Sequence, residues 1–462
     1  MIRILSILLL LGACAHSSAD PSQTLPVSGE SLDSTEAVPV LASDADLQEQ
    51  SYHFVWRRIG ESYPYADMRG IDWSGAYFEL LPAAEAAESA EELRPVLASL
   101  LATLGESHFV VHPGTSYEAL HQDEAAPSGD QSGRLDLDIR LVDGECLVVR
   151  LDSELLAGDE DLEVGDALLQ IDDRDISELL SELKESEVHE EMLPFVLRRT
   201  VLAALRGAPE SSVQMRWRDS SGEERQGELT RTPRTGSLVK MGNLPSIEVV
   251  YQDRVMETES GRRVGYIYFN IFLGDVVQRF AKSMERFVEE GVDGVIVDLR
   301  GNPGGLGAMS RGMAGHFIFD AEESLGMMKT RQAELSFYVV PKAPAQRFDG
   351  PLALLVDEQS ASTSEILVGG LQDLGRGSVV GSRSAGMALP SVIERMPNGD
   401  AVQFVMGDLV TSSGYRIEGN GVKPDTEVHL TAASLAGGKD PVVEAALNWI
   451  GESLVIPSES VP

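Results

Sequence analysis

The chain has 462 residues, more than one hydrophobic core usually organises, so two or three domains are expected. Acidic residues outnumber basic ones by 74 to 37, and the formal net charge is -37. This charge excludes nucleic acid and anionic lipid headgroups as electrostatic partners, because their phosphates would repel the chain. The acidic residues are interpreted as a solvated surface.

The first residues have the pattern of an export signal. One basic residue precedes an apolar run from Ile4 to Leu11, which is too short to span a bilayer and matches the h-region of a secretory signal peptide. The run ends in Leu-Gly-Ala-Cys, which resembles a bacterial lipobox. The resemblance implies a signal peptide over residues 1–14 and a lipid attached to Cys14. The alternative is an ordinary cleavage site with a chance cysteine.

The residues after the lipobox indicate where the anchored protein would lie. Ala15 resembles the sorting pattern of the bacterial outer membrane, so we expect a cell-envelope protein on that membrane, facing the periplasm. Residues 15–44 are rich in Ser, Asp, Pro and Thr, which is typical of a flexible linker. Cys146 is the other cysteine, so acylation of Cys14 would leave no partner for a disulfide.

Residues 45–128 are predicted to form a helical N-terminal domain. Ser89 and Glu92 have capping-box spacing, and Gly105 can end the helix that follows. The apolar residues of this helix recur as one buried face requires, at Leu93, Val96, Leu97, Leu100, Leu101 and Leu104.

Residues 129–235 are predicted to form a β domain. Short apolar alternations are separated here by turn signals such as Val164-Gly165-Asp166. Residues 162–176, LEVGDALLQIDDRDI, resemble the segment of a PDZ domain that leads into its central strands. The resemblance implies a module that binds a peptide C-terminus by adding it as a strand to a sheet edge. The alternative is a small β domain of another kind.

Residues 236–452 are predicted to form an α/β core, and residues 453–462 a tail. Apolar runs alternate with helical patterns, as expected for βαβ units in a layered structure. These runs lie at 264–270, 294–299, 351–356 and 378–381. The whole chain is therefore expected to be a multidomain α/β protein.

Four motifs occur in one order along the chain. They are residues 104–109 (LGESHF), 298–305 (DLRGNPGG), 359–366 (QSASTSEI) and 417–425 (IEGNGVKPD). In composition and order they resemble the C-terminal processing, or tail-specific, serine peptidase family, over roughly residues 45–450. The resemblance implies a crotonase-like, ClpP-like catalytic core that acts on peptides or on the C-termini of unfolded proteins.

The third motif contains the predicted nucleophile. A serine at a strand-to-helix turn projects its hydroxyl from the sheet edge, beside free N–H groups of the helix. The resemblance assigns this role to Ser362. The following residue, Thr363, can donate an N–H to an oxyanion, and Gly304 or Gly305 is the second predicted donor. The alternative is that the serines only cap a helix.

The predicted base departs from the commonest pattern of the family. Most members have a lysine after a glycine turn, whereas Met387 follows residues 381–386 here, and a thioether cannot accept the serine proton. Residues 105–109 resemble the Ser-His element of the tricorn-like branch. That resemblance implies His108 as base, oriented by Ser107 and Glu418 in a Ser-His-Ser-Glu tetrad.

Two alternatives to this tetrad stay open from the sequence. His112 is the reserve candidate for the base, and Glu418 could instead be a surface carboxylate of a loop.

These predictions together describe a lipid-anchored serine endopeptidase. It would act on envelope proteins or peptides through an acyl-enzyme on Ser362, with no metal and no cofactor. The alternative is a catalytically inactive, peptidase-like lipoprotein that binds peptides through its PDZ-like module, an alternative suggested by the missing lysine.

Overall fold

A computed structural model describes most of the chain: residues 44–114, 133–151, 162–185, 192–233, 236–239, 247–435 and 440–454. The predicted signal peptide with Cys14 lies outside the described residues, as do nearly all of the linker and the tail. Among the helices of the described part, none combines the length and apolar character needed to cross a membrane.

The N-terminal part is helical, as predicted. It contains α1 (Asp44–Ser62), a 3₁₀ turn (Met68–Gly70), α2 (Trp73–Glu85), α3 (Ala90–Ala102) and the short strand β1 (Val110–His112). The Ser89 hydroxyl accepts the N–H of Glu92 at 3.3 Å, which fixes the start of α3. Leu93, Leu97 and Leu100 are fully buried against α1 and α2.

The middle part is a β module with its own core. Its strands are β2 (Gly133–Arg134), β3 (Leu137–Val142), β4 (Glu145–Leu151), β5 (Ala167–Ile171), β6 (Arg174–Asp175), β7 (Arg206–Gly207), β8 (Ser212–Arg218), β9 (Glu224–Thr230) and β10 (Thr232–Pro233). The main sheet has the order β3-β4-β5-β8-β9, and a smaller one has the order β10-β2-β7. Helices α4 (Ile176–Glu185) and α5 (Leu193–Ala204) cover the main sheet, with α5 beside the edge strand β3. Its identity as a PDZ domain stays a prediction.

The remaining part contains the strands of the α/β core and of three smaller sheets, two of them three-stranded and one two-stranded. They are β11 (Ser237–Val239), β12 (Ile247–Val249), β13 (Tyr251–Glu257), β14 (Arg263–Phe269), β15 (Gly294–Asp298), β16 (Ser324–Thr330), β17 (Glu334–Tyr338), β18 (Leu352–Val356), β19 (Ser378–Gly381), β20 (Ser391–Arg395), β21 (Ala401–Val405), β22 (Gly407–Val410) and β23 (Thr426–Glu427). Its helices are α6 (Val276–Glu290), α7 (Ala308–Ala314), a 3₁₀ turn (Pro344–Gln346), α8 (Thr363–Asp373), α9 (Ala432–Leu435) and α10 (Pro441–Ser453).

The core sheet has the order β13-β14-β15-β18-β19-β23 and is parallel except for the edge strand β13. The four predicted apolar runs coincide with β14, β15, β18 and β19. Phe280 of α6 and Leu367 of α8 pack on one face of the sheet, and Ala446 and Ile450 of α10 pack on the other. The predicted α/β layering of the core is therefore confirmed.

Two antiparallel sheets flank this core. In one, β1 pairs with β21, which also pairs with β20. Val402 and Phe404 of β21 are buried in the same cluster as the N-terminal helices, so the two ends of the chain share one core. In the other, the order is β17-β16-β22, and β17 is an edge strand.

Candidate active site

Ser362 lies where β18 ends and α8 begins. Its φ of 58° is in the left-handed region, which residues other than glycine rarely adopt. The Glu365 carboxylate accepts the Ser362 N–H at 2.9 Å, which holds the backbone in this conformation. The carbonyl of Asn302 accepts the Ser364 hydroxyl at 2.9 Å and the Ala361 N–H at 3.1 Å. The turn that carries Ser362 is thus fixed on both sides.

The two glycines predicted at the oxyanion hole lie directly against this turn. A Cβ on Gly304 would stand 2.7 Å from the Cβ of Ser362, and a Cβ on Gly305 would stand 2.4 Å from the carbonyl oxygen of Phe272, so only glycine fits either position. The Gly304 N–H already donates to the Asn302 side chain at 2.9 Å. Gly305 and Thr363 are therefore the better candidates for oxyanion donors.

The predicted partners Ser107, His108 and Glu418 are brought together. The Ser107 hydroxyl lies 2.5 Å from Nδ1 of His108, and the Ser107 N–H donates to Oε1 of Glu418 at 3.0 Å. The other Glu418 oxygen accepts the Ala388 N–H at 2.7 Å. Glu418 is only 4% exposed, so the alternative reading as a surface carboxylate is wrong.

This hydrogen-bond chain assigns the tautomer of the imidazole. The Glu418 carboxylate can only accept hydrogen bonds, so a Ser107 hydroxyl that donates to it accepts from Nδ1–H of His108. The lone pair then lies on Nε2, the nitrogen that would accept a proton. Among the described residues, Nε2 of His108 has no hydrogen-bond partner.

Burial governs the charges of these groups. His108 is 2% exposed, and its desolvation lowers the imidazole pKa from 6.5 to about 3. Burial also raises the pKa of Glu418. The imidazole is therefore neutral at neutral pH, the protonation state that a general base needs.

Glu365 links the turn of Ser362 to the loop at residues 384–388, whose last N–H goes to Glu418. The sequence reasoning did not identify this residue. Besides the Ser362 N–H, its carboxylate accepts the Ser384 hydroxyl at 2.5 Å and the N–H groups of Gly386 and Met387 at 2.7 and 2.9 Å. The next N–H in the chain, from Ala388, goes to Glu418. Burial raises the pKa of Glu365 to about 7. Its Ser-x-x-Glu spacing from Ser362 was the available sequence signal.

One connection of the tetrad is not formed in this structure. Because Nε2 of His108 has no partner, no hydrogen bond joins it to Ser362, which is itself 1% exposed. Met387 packs against Ala361 beside the nucleophile, together with Phe195 of the middle module. The site is therefore closed to solvent here.

The reserve base, His112, lies apart from this arrangement. It is the last residue of β1, is 3% exposed, and its Nε2 lies 3.3 Å from the side chain of Gln403 in β21. Its contacts are those of a residue inside the β1–β21 pairing, and no described hydrogen bond connects it to Ser107 or Glu418.

The middle module contacts the loops that carry Ser362 and the glycines. Arg140 of β3 donates to Asp357 at 2.6 Å, and Asp357 also accepts the N–H of Gly301 at 2.8 Å. Arg198 of α5 donates to the carbonyl of Gly301 at 3.1 Å and to Asp138 at 2.7 Å. Both arginines are more than four-fifths buried, so the module helps to fix the loop at residues 301–305.

The fold and this arrangement define a class, the serine peptidases with an α/β core. Residues 263–428 match the model described as peptidase family S41, and residues 45–102 match the model of the tricorn protease C1 domain. Residues 263–428 are thus similar to a peptidase family S41 core, and the predicted resemblance to C-terminal processing peptidases is confirmed. The expected enzyme class, a serine-type peptidase, is that of the matched family.

Curated relatives of the chain have a corresponding name. A carboxyl-terminal-processing protease of Picosynechococcus is 27% identical over 253 residues, which cover 54% of this chain and 60% of the relative. A carboxyl-terminal-processing protease of Synechocystis is 29% identical over 211 residues, which cover 45% of this chain and 48% of the relative. The aligned regions thus span about half the length of these relatives.

Solved structures share the fold over nearly the whole chain. The photosystem II D1 C-terminal processing protease aligns with a TM-score of 0.54 at 18% identity, covering 87% of this chain and 97% of that structure. Mature CPAF aligns with a TM-score of 0.55 at 15% identity, covering 88% of this chain and 96% of that structure. At these identities the likeness shows a common fold.

Proposed function

We propose that the chain is a serine endopeptidase of the C-terminal processing type, with Ser362 as nucleophile and His108 as base. The observation that carries this proposal is the chain of contacts from Glu418 through Ser107 to Nδ1 of His108, which leaves Nε2 free to accept a proton. A neutral imidazole held by a carboxylate through a hydroxyl has the chemistry of a serine-hydrolase base.

The reaction follows from the roles of these atoms. Ser362 Oγ attacks the peptide carbonyl as Nε2 of His108 takes its proton, and the resulting oxyanion is stabilised by the N–H groups of Gly305 and Thr363. His108 then gives the proton to the leaving amine, and water releases the acyl group from Ser362. Since no hydrogen bond joins Nε2 to Ser362 in the closed site, a rearrangement precedes the reaction.

The substrate and the location are further parts of the proposal. The names of the matched relatives describe action on carboxyl termini, and a PDZ-like module would bind such termini by strand addition. A lipid on Cys14 would hold the enzyme at the outer membrane, where envelope proteins are its substrates.

A fluorophosphonate probe tests the proposal directly, because it reacts with an activated serine. We expect wild-type protein to be labelled on Ser362, as located by peptide mass spectrometry, and Ser362→Ala to be unlabelled. His108→Ala should slow labelling by about two to four orders of magnitude, while His112→Ala serves as the matched histidine control.

Two results would count against this assignment. An unlabelled, folded wild-type protein would favour the inactive peptide-binding alternative. Labelling that is lost in His112→Ala but kept in His108→Ala would move the base to His112. Met387→Lys should not raise the rate, because an ammonium beside the imidazole would depress its basicity.

A further inference from the structure

An exposed apolar surface lies on one hairpin of the catalytic part. Four of the eight large apolar side chains that are exposed among the described residues belong to residues 324–340, here called the β16–β17 hairpin. They are Met327, Leu335, Tyr338 and Val340, with exposed fractions between 37% and 49%. Exposed apolar groups gathered on one element are typical of a binding surface.

The outer strand of this hairpin is open to pairing. Among the described residues, β17 pairs with β16 alone, so its other side presents backbone N–H and C=O groups. Natural edge strands are usually protected by lysine, proline or a bulge. β17 (ELSFY) contains no lysine or proline, only Glu334 is charged, and the irregularity in its pairing with β16 lies between Ser324 and Met327 of β16. The strand is therefore suited to accept another strand.

The turn of the hairpin reaches the loop of the predicted base. Arg331 donates to the carbonyl of Tyr63 at 3.4 Å, and Lys329 lies 4.5 Å from the ring centre of Tyr65. The Tyr63 hydroxyl in turn donates at 2.6 Å to Glu106, the neighbour of Ser107. One end of the hairpin thus lies beside the residues that hold His108.

The other end of the hairpin reaches the loop that contains Gly304 and Gly305. Arg311 of α7 donates to the carbonyl of Tyr338 at 2.7 Å, and its own carbonyl accepts the N–H of Val340 at 3.1 Å. The Phe337 ring lies 3.9 Å from the Cβ position of Gly307, two residues after Gly305. The C-terminal end of β17 therefore lies beside the loop that follows Gly305.

We propose that β17 binds an extended, apolar segment of the substrate polypeptide as an additional strand and so guides it to Ser362. The inference rests on the proposed function and defines its substrate class as unfolded chains with apolar side chains, since a folded protein has no free backbone to offer. Lys329 and Arg331 at the turn complement the terminal carboxylate of such a chain.

A second copy of this protein is the less suitable occupant of β17. Each copy has a net charge of -37, so the approach of two copies is opposed by repulsion over their surfaces. A neutral or basic unfolded chain meets no such barrier.

The test measures binding without cleavage. A fluorescein-labelled synthetic peptide that is extended, apolar and of zero net charge, with a free C-terminal carboxylate, is titrated into the full Ser362→Ala chain and followed by fluorescence anisotropy. Replacing both Leu335 and Tyr338 by Glu should raise the dissociation constant about tenfold or more, because apolar contact area is lost and charge is added. The matched control is Phe78→Glu, an exposed aromatic of α2, which should change it by about twofold or less.

Three outcomes decide the matter. An unchanged dissociation constant in the folded double variant overturns the proposal. If the double variant does not fold, the test is repeated with the milder substitutions Leu335→Ser and Tyr338→Ser. The proposal is also overturned if sedimentation velocity shows a wild-type dimer that the double variant converts to monomer, while peptide binding is unchanged. Binding is measured in Ser362→Ala protein, so its result does not depend on catalysis. Failure of the fluorophosphonate to label wild-type protein would refute the proposed function without deciding whether β17 binds the peptide.

Discussion

The protonation of His108 provides a direct test of the closed site. The perturbation is a pH titration from about pH 8 to about pH 5 of Ser362→Ala protein with ¹³C-labelled histidines, in which the His108 signal is assigned by its loss in His108→Asn. With a pKa of about 3, about 1% of the imidazole is protonated at pH 5, against about 97% for a histidine with the ordinary value of 6.5.

We therefore expect the ¹³C shift of His108 to stay at its neutral value over this range, while free histidine in the same tube titrates. A histidine of ordinary pKa would instead titrate between about pH 6 and 7. A His108 midpoint near 6.5 would refute the reasoning, because it would mean that the site is hydrated and open in solution.

The same pKa links acid to stability. Because His108 has a pKa below its unfolded value, its stabilising contribution is complete above pH 6.5 and is lost as the pH falls toward 3. A difference of one unit between the folded and unfolded pKa corresponds to about 1.4 kcal/mol of folding free energy. The lowered pKa of His108 therefore corresponds to a loss of about 5 kcal/mol once the pH has fallen to about 3. His112 and His316, whose pKa values burial lowers to about 4, add to this loss. Urea unfolding of wild type and His108→Asn at pH 7 and pH 5 measures the first part of this loss, about 2 kcal/mol for the roughly 1.5 pH units below 6.5. An equal change in stability between the two pH values for both proteins would contradict it.

Three further predictions concern other parts of the chain. Cys14→Ser should release the protein from bacterial membranes, and a wild-type N-terminus without an acyl group by mass spectrometry would contradict the lipid anchor. Arg140→Met should cost about 3–5 kcal/mol in urea unfolding and slow Ser362 labelling, because Asp357 stays buried without its partner, whereas Arg140→Lys should lose less. Glu365→Gln should cost about 2–6 kcal/mol, since two of the four donors lose a carboxylate oxygen and each buried loss is about 1–3 kcal/mol. Unfolding curves that match wild type would show that these donors find other acceptors.

Local patterns predicted much of the fold. The periodic leucines predicted α3, and the four apolar runs predicted the central strands, because burial imposes a period that the sequence itself displays. The pairing of β1 with β21 could not be predicted in this way. β1 has three residues, its partner lies at the other end of the chain, and neither carries a signal for the other.

The same distinction applies to the site. Ser107 and His108 are neighbours in one motif and Glu418 lies in another, and the resemblance to the tricorn-like branch was enough to group them. Arg140 is a single charged residue in a strand, and its contact with Asp357 depends on how the middle module docks on the core. Such a contact is a product of tertiary packing and has no local signature.

The N-terminal helices and β21 share one core. This arrangement has a consequence for when the protein can act. His108 precedes β1, which pairs with β21 among the described residues, and Glu418 lies further still along the chain. During synthesis, the proposed tetrad therefore cannot be complete before residue 418 has been made. On the proposed assignment, a growing chain has no peptidase activity until residues 401–418 have emerged and folded against the N-terminal helices.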